Sequence, residues 1–462
     1  MLELDVLPEH GLYSDQIEFI LGMHFSHAVA SIQALVGCVK GVQILYSDVD
    51  ALNVDLVVNL TQDGIHLVFD PVTQRLKVIE VYDLALLRLK YGDILFNCPE
   101  VAPTIEQIDQ TFGATHPGVY DDEKQAFTLT FRGLAFEFPA DTKFQPTYAG
   151  IRQKLGQLQF PPGESPHVSK MSIYCGNSLS ECSAPSLPLP RYPTLYQDGL
   201  EIIRRQRQTL GIRIRLVSVP NLDEGDRSPT GSAGGGGGGG GGGRGAVSSS
   251  VENVGGERAC LDYPTPREIY FGDSVQDVIA AVGAPARIFY KAEDKMKIHS
   301  PNAHKKAATQ KSDYFYNYFT LGFDVLFDAK RNAVKKFVLH TNYPGHYNFN
   351  MYHRCQFELP LYQENSSSGT QQYISTTPIT VTAFSKWEEI SDKMKPSERP
   401  VVLNRASSTN TTNPFGSTFC YGYQDIIFEV MPNGHLASLT LYALDGGRRG
   451  RRSLGEFQGL EA

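Results

Sequence analysis

One stretch of this chain occurs twice. Residues 59–81, NLTQDGIHLVFDPVTQRLKVIEV, align without a gap at an offset of 258 with the sequence that continues from Tyr318 as YFTLGFDVLFDAKRNAVKKFVLH. Gly64 falls on Gly322, Phe69 and Asp70 on Phe327 and Asp328, Leu76 on Val334, Ile79 on Phe337 and Val81 on Leu339. In each copy apolar runs flank a turn of Asp, Pro, Asn or Lys, the pattern of two strands and a short loop. A repeated hairpin implies a repeated fold and constrains every other assignment.

Helix signals repeat as well. Pro103 opens and Gly113 stops the segment PTIEQIDQTFGA (103–114). SVQDVIAAVGA (274–284) matches it at an offset of 170, with Ile105 on Val275, Ile108 on Val278 and Phe112 on Val282. The spacing of Phe25, Ala28, Val29 and Ile32 predicts a helix within 14–36, and Gly22 meets Gly272 at an offset of 250. FRGLAFEF (131–138) pairs with YQDIIFEV (423–430) at an offset of 292, which places a fourth helix near 381–394. These matches predict an α+β chain of about four helix-then-strands units in two tandem halves. Each helix stripe is expected to pack on one face of an antiparallel sheet.

The predicted divisions follow. Residues 1–160 form the first half, with its first unit opening near 14, and 262–445 the second. A Pro-rich segment and two basic strands occupy 161–220. Residues 221–261, with ten consecutive glycines at 234–243, read as a flexible linker, and the Arg-rich tail 446–462 and inserts at 293–312, 364–376 and 404–417 as disordered. A formal net charge of -8 argues against general nucleic-acid binding, which needs a basic surface. The acidic, Pro-containing start lacks signal-peptide character, and no apolar run reaches the roughly 18 residues of a membrane span. Seven scattered cysteines without a CxxC point to neither a disulfide framework nor a zinc ribbon, so a cytosolic protein is expected.

Candidate chemistry is sparse. The glycine run lacks the GxxxxGK[ST] pattern of a phosphate loop. Asp70 and Asp328 stand at equivalent turns, where Asp commonly accepts from backbone amides two residues on. Cys38, Cys175 and Cys355 have no recognisable Cys/His setting. Against the acidic whole, Arg204, Arg205, Arg207, Arg213 and Arg215 form a basic stretch that could face anionic lipid, or be a solvated strand face paired with acids. The segment NYPGHYNFNMYH offers Tyr343, His346, Tyr347 and Tyr352 as a partner surface, and, as a remote alternative, a histidine base within 340–353. Trp387 and Ile390 fit either a short aromatic-x-x-aliphatic docking motif or the core face of the fourth helix.

The combination of LGMHFSHAVASIQ, FGDSVQDVIAAVGAP, YFYNYFTLGFDVLFD and KKFVLHTNYPGHYNFNMYHRCQFEL resembles the phagophore assembly factor family, over about 1–220 and 260–445. The resemblance implies a non-enzymatic autophagy factor without cofactor or metal. It further implies association with a WD-repeat β-propeller partner and recruitment to the phagophore membrane, where phosphoinositides are read, largely by that partner. A Golgi or vesicle-trafficking scaffold is the competing implication.

Overall fold

The computed structural model describes residues 1–100, 103–113, 118–121, 123–139, 147–148, 158–159, 166–185, 194–205, 207–219, 261–262, 266–291, 312–361, 379–394, 399–404 and 415–443. The glycine run and the tail lie outside them, as do 293–311, 364–376 and 405–414.

Four times the chain builds one helix followed by four antiparallel strands. Helix α1 (Phe25–Ala34) precedes Val42–Leu45, Leu56–Leu60, Ile65–Phe69 and Leu76–Val81. Helix α2 (Ile105–Phe112) precedes Val119–Asp121, Ala126–Phe131, Leu134–Pro139 and Lys170–Tyr174. Helix α3 (Val275–Val282) leads to Arg287–Tyr290, Tyr314–Tyr318, Phe323–Asp328 and Ala333–His340. Helix α4 (Trp387–Met394) leads to Val401–Leu403, Thr418–Tyr423, Ile426–Val430 and Leu436–Tyr442. In each half the two meanders join through their last strands, Ile79 opposite Ile173 and Phe337 opposite Leu441, giving two eight-stranded sheets.

The duplicated hairpin is reproduced down to its irregularity. Ile65 faces Val81 and Phe323 faces Leu339, and the register slips between Val68 and Phe69 as it does between Leu326 and Phe327. Asp70 accepts from the amides of Val72 and Thr73, Asp328 from those of Lys330 and Arg331. Both carboxylates therefore act as turn acceptors. Each helix start is pinned at or just before the fourth strand of its unit, by bridges His24–Arg75, Thr104–His167, Ser274–Ala333 and Lys386–His435.

A second, smaller sheet completes each half. Leu2–Leu7, Gly11–Tyr13, Glu18–Ile20, Leu87–Tyr91 and Ile94–Asn97 form one. Thr194–Arg205, Gln208–Val219, Leu261–Asp262, Arg267–Tyr270, Phe357–Leu361 and Ile379–Thr382 form the other, so the basic hairpin shares a sheet with strands of the second half. One buried cluster joins side chains of the first half's two sheets with Phe25, Ile32, Ile105 and Ile108 of its helices. Its counterpart gathers Ile202, Ile214, Val278, Phe337, Leu359, Trp387 and Leu439.

Three expectations need correction. Among the described residues 49% are strand against 14% helix, so α+β describes the fold only loosely. The helix predicted within 14–36 is confined to α1, because Ile17, Phe19 and Leu21 are buried at every second position and Gly22 turns the chain at φ 84°. Each small sheet also holds a parallel pair, Leu2–Leu7 with Leu87–Tyr91 and Thr194–Arg205 with Phe357–Leu361, where only antiparallel pairing was expected. Strand direction depends on how the crossover returns, which side-chain periodicity does not encode.

Candidate functional site in the seam between the halves

The connection after the last strand of the first unit is short, residues 82–86 between Val81 and Leu87. Its counterpart runs over 341–356, and the added length lies against the first half. Across the seam Gln74 Nε2 donates to the Asn342 main-chain carbonyl and Asn342 Nδ2 donates to Gln74 Oε1, each at 2.7 Å. Phe349 joins the first half's core and packs on Phe25 at 4.7 Å between ring centroids. Asn433 donates to the Asp48 carbonyl at 3.1 Å, and Ala51 shares a cluster with Tyr343, Met431 and Ala437.

The centre of the seam is polar. Arg354 donates from Nε to the Thr341 carbonyl and from Nη1 to the carbonyls of Pro71 and Val72. It lies over the rings of Tyr343 and Phe384, and burial pushes its pKa down to about 10. It stays protonated at neutral pH. His24 caps α1: its Nδ1 accepts from the Ser26 amide, and its ring stacks on His353 at 3.6 Å. Burial, then the neighbouring His353 and Arg75, hold His24 well below the ordinary imidazole range. Burial, His27 and Arg75 do the same to His353. Both rings are therefore neutral near pH 7. A cavity of about 360 Å³ opens here between the halves, with His24, Arg75, Tyr196, Thr320, His353 and Arg354 among its lining residues.

The residues singled out from the sequence fall in different places. Tyr343, His346 and Tyr352 are buried, which corrects their reading as a partner surface; Tyr347 is 45% exposed. Tyr352 and His340 bond Asp324, and His346 bonds Asn348 through Nδ1, so these side chains are engaged inside the fold. The Trp387 and Ile390 pair is buried, with Trp387 stacked on Tyr421 at 4.2 Å, because residues three apart share the inner face of α4. Arg204 is also buried, 3.1 Å from Asp425. Arg213 sits between Glu201 and Glu268, each at 2.8 Å, and Arg215 is 3.4 Å from Asp198; Arg205 and Arg207 are exposed at the hairpin end. Alternation placed Arg213 and Arg215 on one face but could not show the acids waiting there.

Cys355 is buried with its thiol pushed up to about 12, a poor nucleophile. Among the described residues no group of three or more His, Cys, Asp or Glu is disposed to hold a metal, and no helix is long and apolar enough to cross a membrane. The seam residues His24, Arg75, Tyr196 and Arg354 were not found from sequence. A signal existed: the repeat places Arg75 on Ala333 and His24 on Ser274, positions where one copy carries a cation or imidazole and the other does not.

Outward-facing apolar side chains concentrate at the ends of the large sheets. Ile288, Phe289 and Tyr290 lie on one edge strand, Val401 and Val402 on the opposite edge of the same sheet, and Val42, Ile44 and Leu45 on an edge of the other.

Comparison with known proteins adds the context. The profile of the family described as phagosome assembly factor 1 matches residues 15–228 and 252–442. A PHAF1 protein of Drosophila melanogaster is 50% identical over 449 residues, 96% of this chain and 94% of its own length. PHAF1 proteins of Caenorhabditis elegans and Arabidopsis thaliana are 35% and 32% identical, over 95% and 92% of this chain and 93% and 90% of their own lengths. No solved structure matches the chain. With the family profile spanning both halves and their shared seam, the chain belongs to the phagosome assembly factor 1 family.

Proposed function

We propose that this protein is a non-enzymatic assembly factor in autophagy, which binds a WD-repeat β-propeller protein and through it associates with the phagophore. The observation that carries the reading is the family match across both halves, supported by relatives that align over nearly their whole length. The architecture is compatible with a scaffold. Two halves share a buried seam, and the strand Arg287–Tyr290, at the edge of its sheet among the described residues, shows Ile288, Phe289 and Tyr290 to solvent. Such an edge offers main-chain hydrogen bonds and apolar contacts to an added strand.

The test is affinity capture of the tagged full chain from starved cells, read by mass spectrometry. A propeller protein recovered at near-equal abundance, and lost when Phe289→Lys is used as bait, is the expected result. Capture dominated by membrane tethers, or free of any stoichiometric partner, overturns the adaptor reading.

A further inference from the structure

The seam cavity has a feature that packing alone does not account for. Three of the polar side chains in its wall are at least nine-tenths buried and end in atoms with no partner: His24 at Nε2, His353 at Nε2 and Arg354 at Nη2. Buried polar atoms left unpaired are costly, and an acceptor admitted between these residues would relieve three at once.

The chemistry of that acceptor can be read from the donors. Nδ1 of His24 accepts from the Ser26 amide at 3.2 Å and lies 2.9 Å from the Ser26 hydroxyl. The proton of the neutral ring therefore sits on Nε2, the unpartnered atom, which makes it a donor. Nη2 of Arg354 is a donor at any physiological pH, with a charge that its carbonyl partners do not neutralise. Arg75, held at 2.9 Å by the Gly22 carbonyl and 5.3 Å from the Tyr196 ring centroid, adds a second cation to the same wall. Asp198 is the one carboxylate among the lining residues, and it already lies by Arg215. Two guanidiniums and an imidazole N–H make a site for an anion, and guanidiniums suit the several oxygens of a phosphate. A volume of about 360 Å³ falls within the roughly 300–1,000 Å³ of small-molecule sites.

We propose that the seam cavity binds a phosphate-bearing small molecule, with Arg354, Arg75 and His24 holding the phosphate. The ligand bridges the two halves, since His24 and Arg75 come from the first and Arg354 from the second. The occupied seam is then the stiffer form of the scaffold.

The test is the melting temperature of the purified full chain against inorganic phosphate, glucose 6-phosphate, acetate, and vesicles of phosphatidylcholine with and without phosphatidic acid. Two variants separate binding from folding. His24→Asn keeps a capping acceptor for the Ser26 amide and deletes the Nε2 donor. Ala184→Glu adds a carboxylate to the wall at a half-buried position. The expected result is a rise with phosphate and the sugar phosphate, absent with acetate and lost or at least tenfold weaker in both variants. A response confined to phosphatidic acid vesicles, and lost in both variants, assigns the same site to a lipid headgroup. No response to any phosphate, an equal response to acetate, or a response that survives both variants overturns the proposal.

Discussion

At Arg204 a guanidinium leaves water against Asp425, both side chains 1% exposed or less, with Gln424 and the Arg207 carbonyl taking further hydrogen bonds. Removing one partner strands the other charge in the interior. Arg204→Ala should therefore lower the unfolding free energy by about 3–5 kcal/mol, whereas pairing Arg204→Met with Asp425→Leu should recover much of it. Arg213→Ala and Arg215→Ala, at exposed pairs, should each change it by about 1 kcal/mol or less. Urea titrations followed by circular dichroism decide this, and equal effects at all three arginines would contradict the buried-pair account. The duplicated glycines make a second comparison. Gly64 and Gly322 have φ of 66° and 75°, and a Cβ at either would stand 2.6 Å from a backbone oxygen, of Asp83 or His353. Ala at either position should cost more than about 1 kcal/mol, with matching losses in the two halves. A neutral Gly322→Ala in the same titration would show that the seam loop yields locally.

The helices are short, so their ends matter more than their propensity. Thr104 and Ser274 each close a capping box, with Gln107 and Asp277, and each of those helices ends at a glycine of positive φ, Gly113 or Gly283. Thr104→Ala and Ser274→Ala should each cost about 1 kcal/mol by thermal unfolding, and a larger loss at one would mean its cap also holds neighbouring chain. These helices are legible because start, stripe and stop all fall inside a dozen residues and recur. The hairpin ending at Val81 and Leu339 was legible for the same reason. Elements without a local signature were not. Glu18–Ile20 was absorbed into a predicted helix, since three residues hold too little of either period to tell strand from helix. The parallel partners Leu2–Leu7 and Leu87–Tyr91 lie a whole unit apart, and nothing within either strand announces the other. The site was harder still. Arg354 follows His353 in the segment already noted for its histidines, yet its partners are carbonyls of residues 71 and 72, contributed by the other half.

At the scale of the whole molecule, the seam ties stability to pH. His24 and His353 stack across it, and the fold holds both below the ordinary imidazole value, burial being the largest cause. His27 and His435 are lowered as well, first by burial. In the unfolded chain these rings titrate near 6.5. Above that pH they are neutral in both states and add no slope. As pH falls below about 6.5 the unfolded chain takes up protons that the native seam refuses, so stability drops until the depressed native values are reached. Each histidine contributes at most about 1.4 kcal/mol per pH unit over that window. Unfolding free energy should therefore fall between pH 7 and pH 5, ahead of the carboxylate range near 4. His24→Asn together with His353→Gln should flatten that fall even if the variant starts out less stable. The slope of urea-derived stability against pH is the quantity to compare, because it reports proton uptake and not packing. A slope unchanged in the double variant would mean that the stacked pair is already open to water and that the halves separate before the chain unfolds. A flattened slope would identify the stacked pair as a point where acidity loosens a scaffold otherwise held across the same seam by apolar contacts, amide hydrogen bonds and the Arg354 guanidinium.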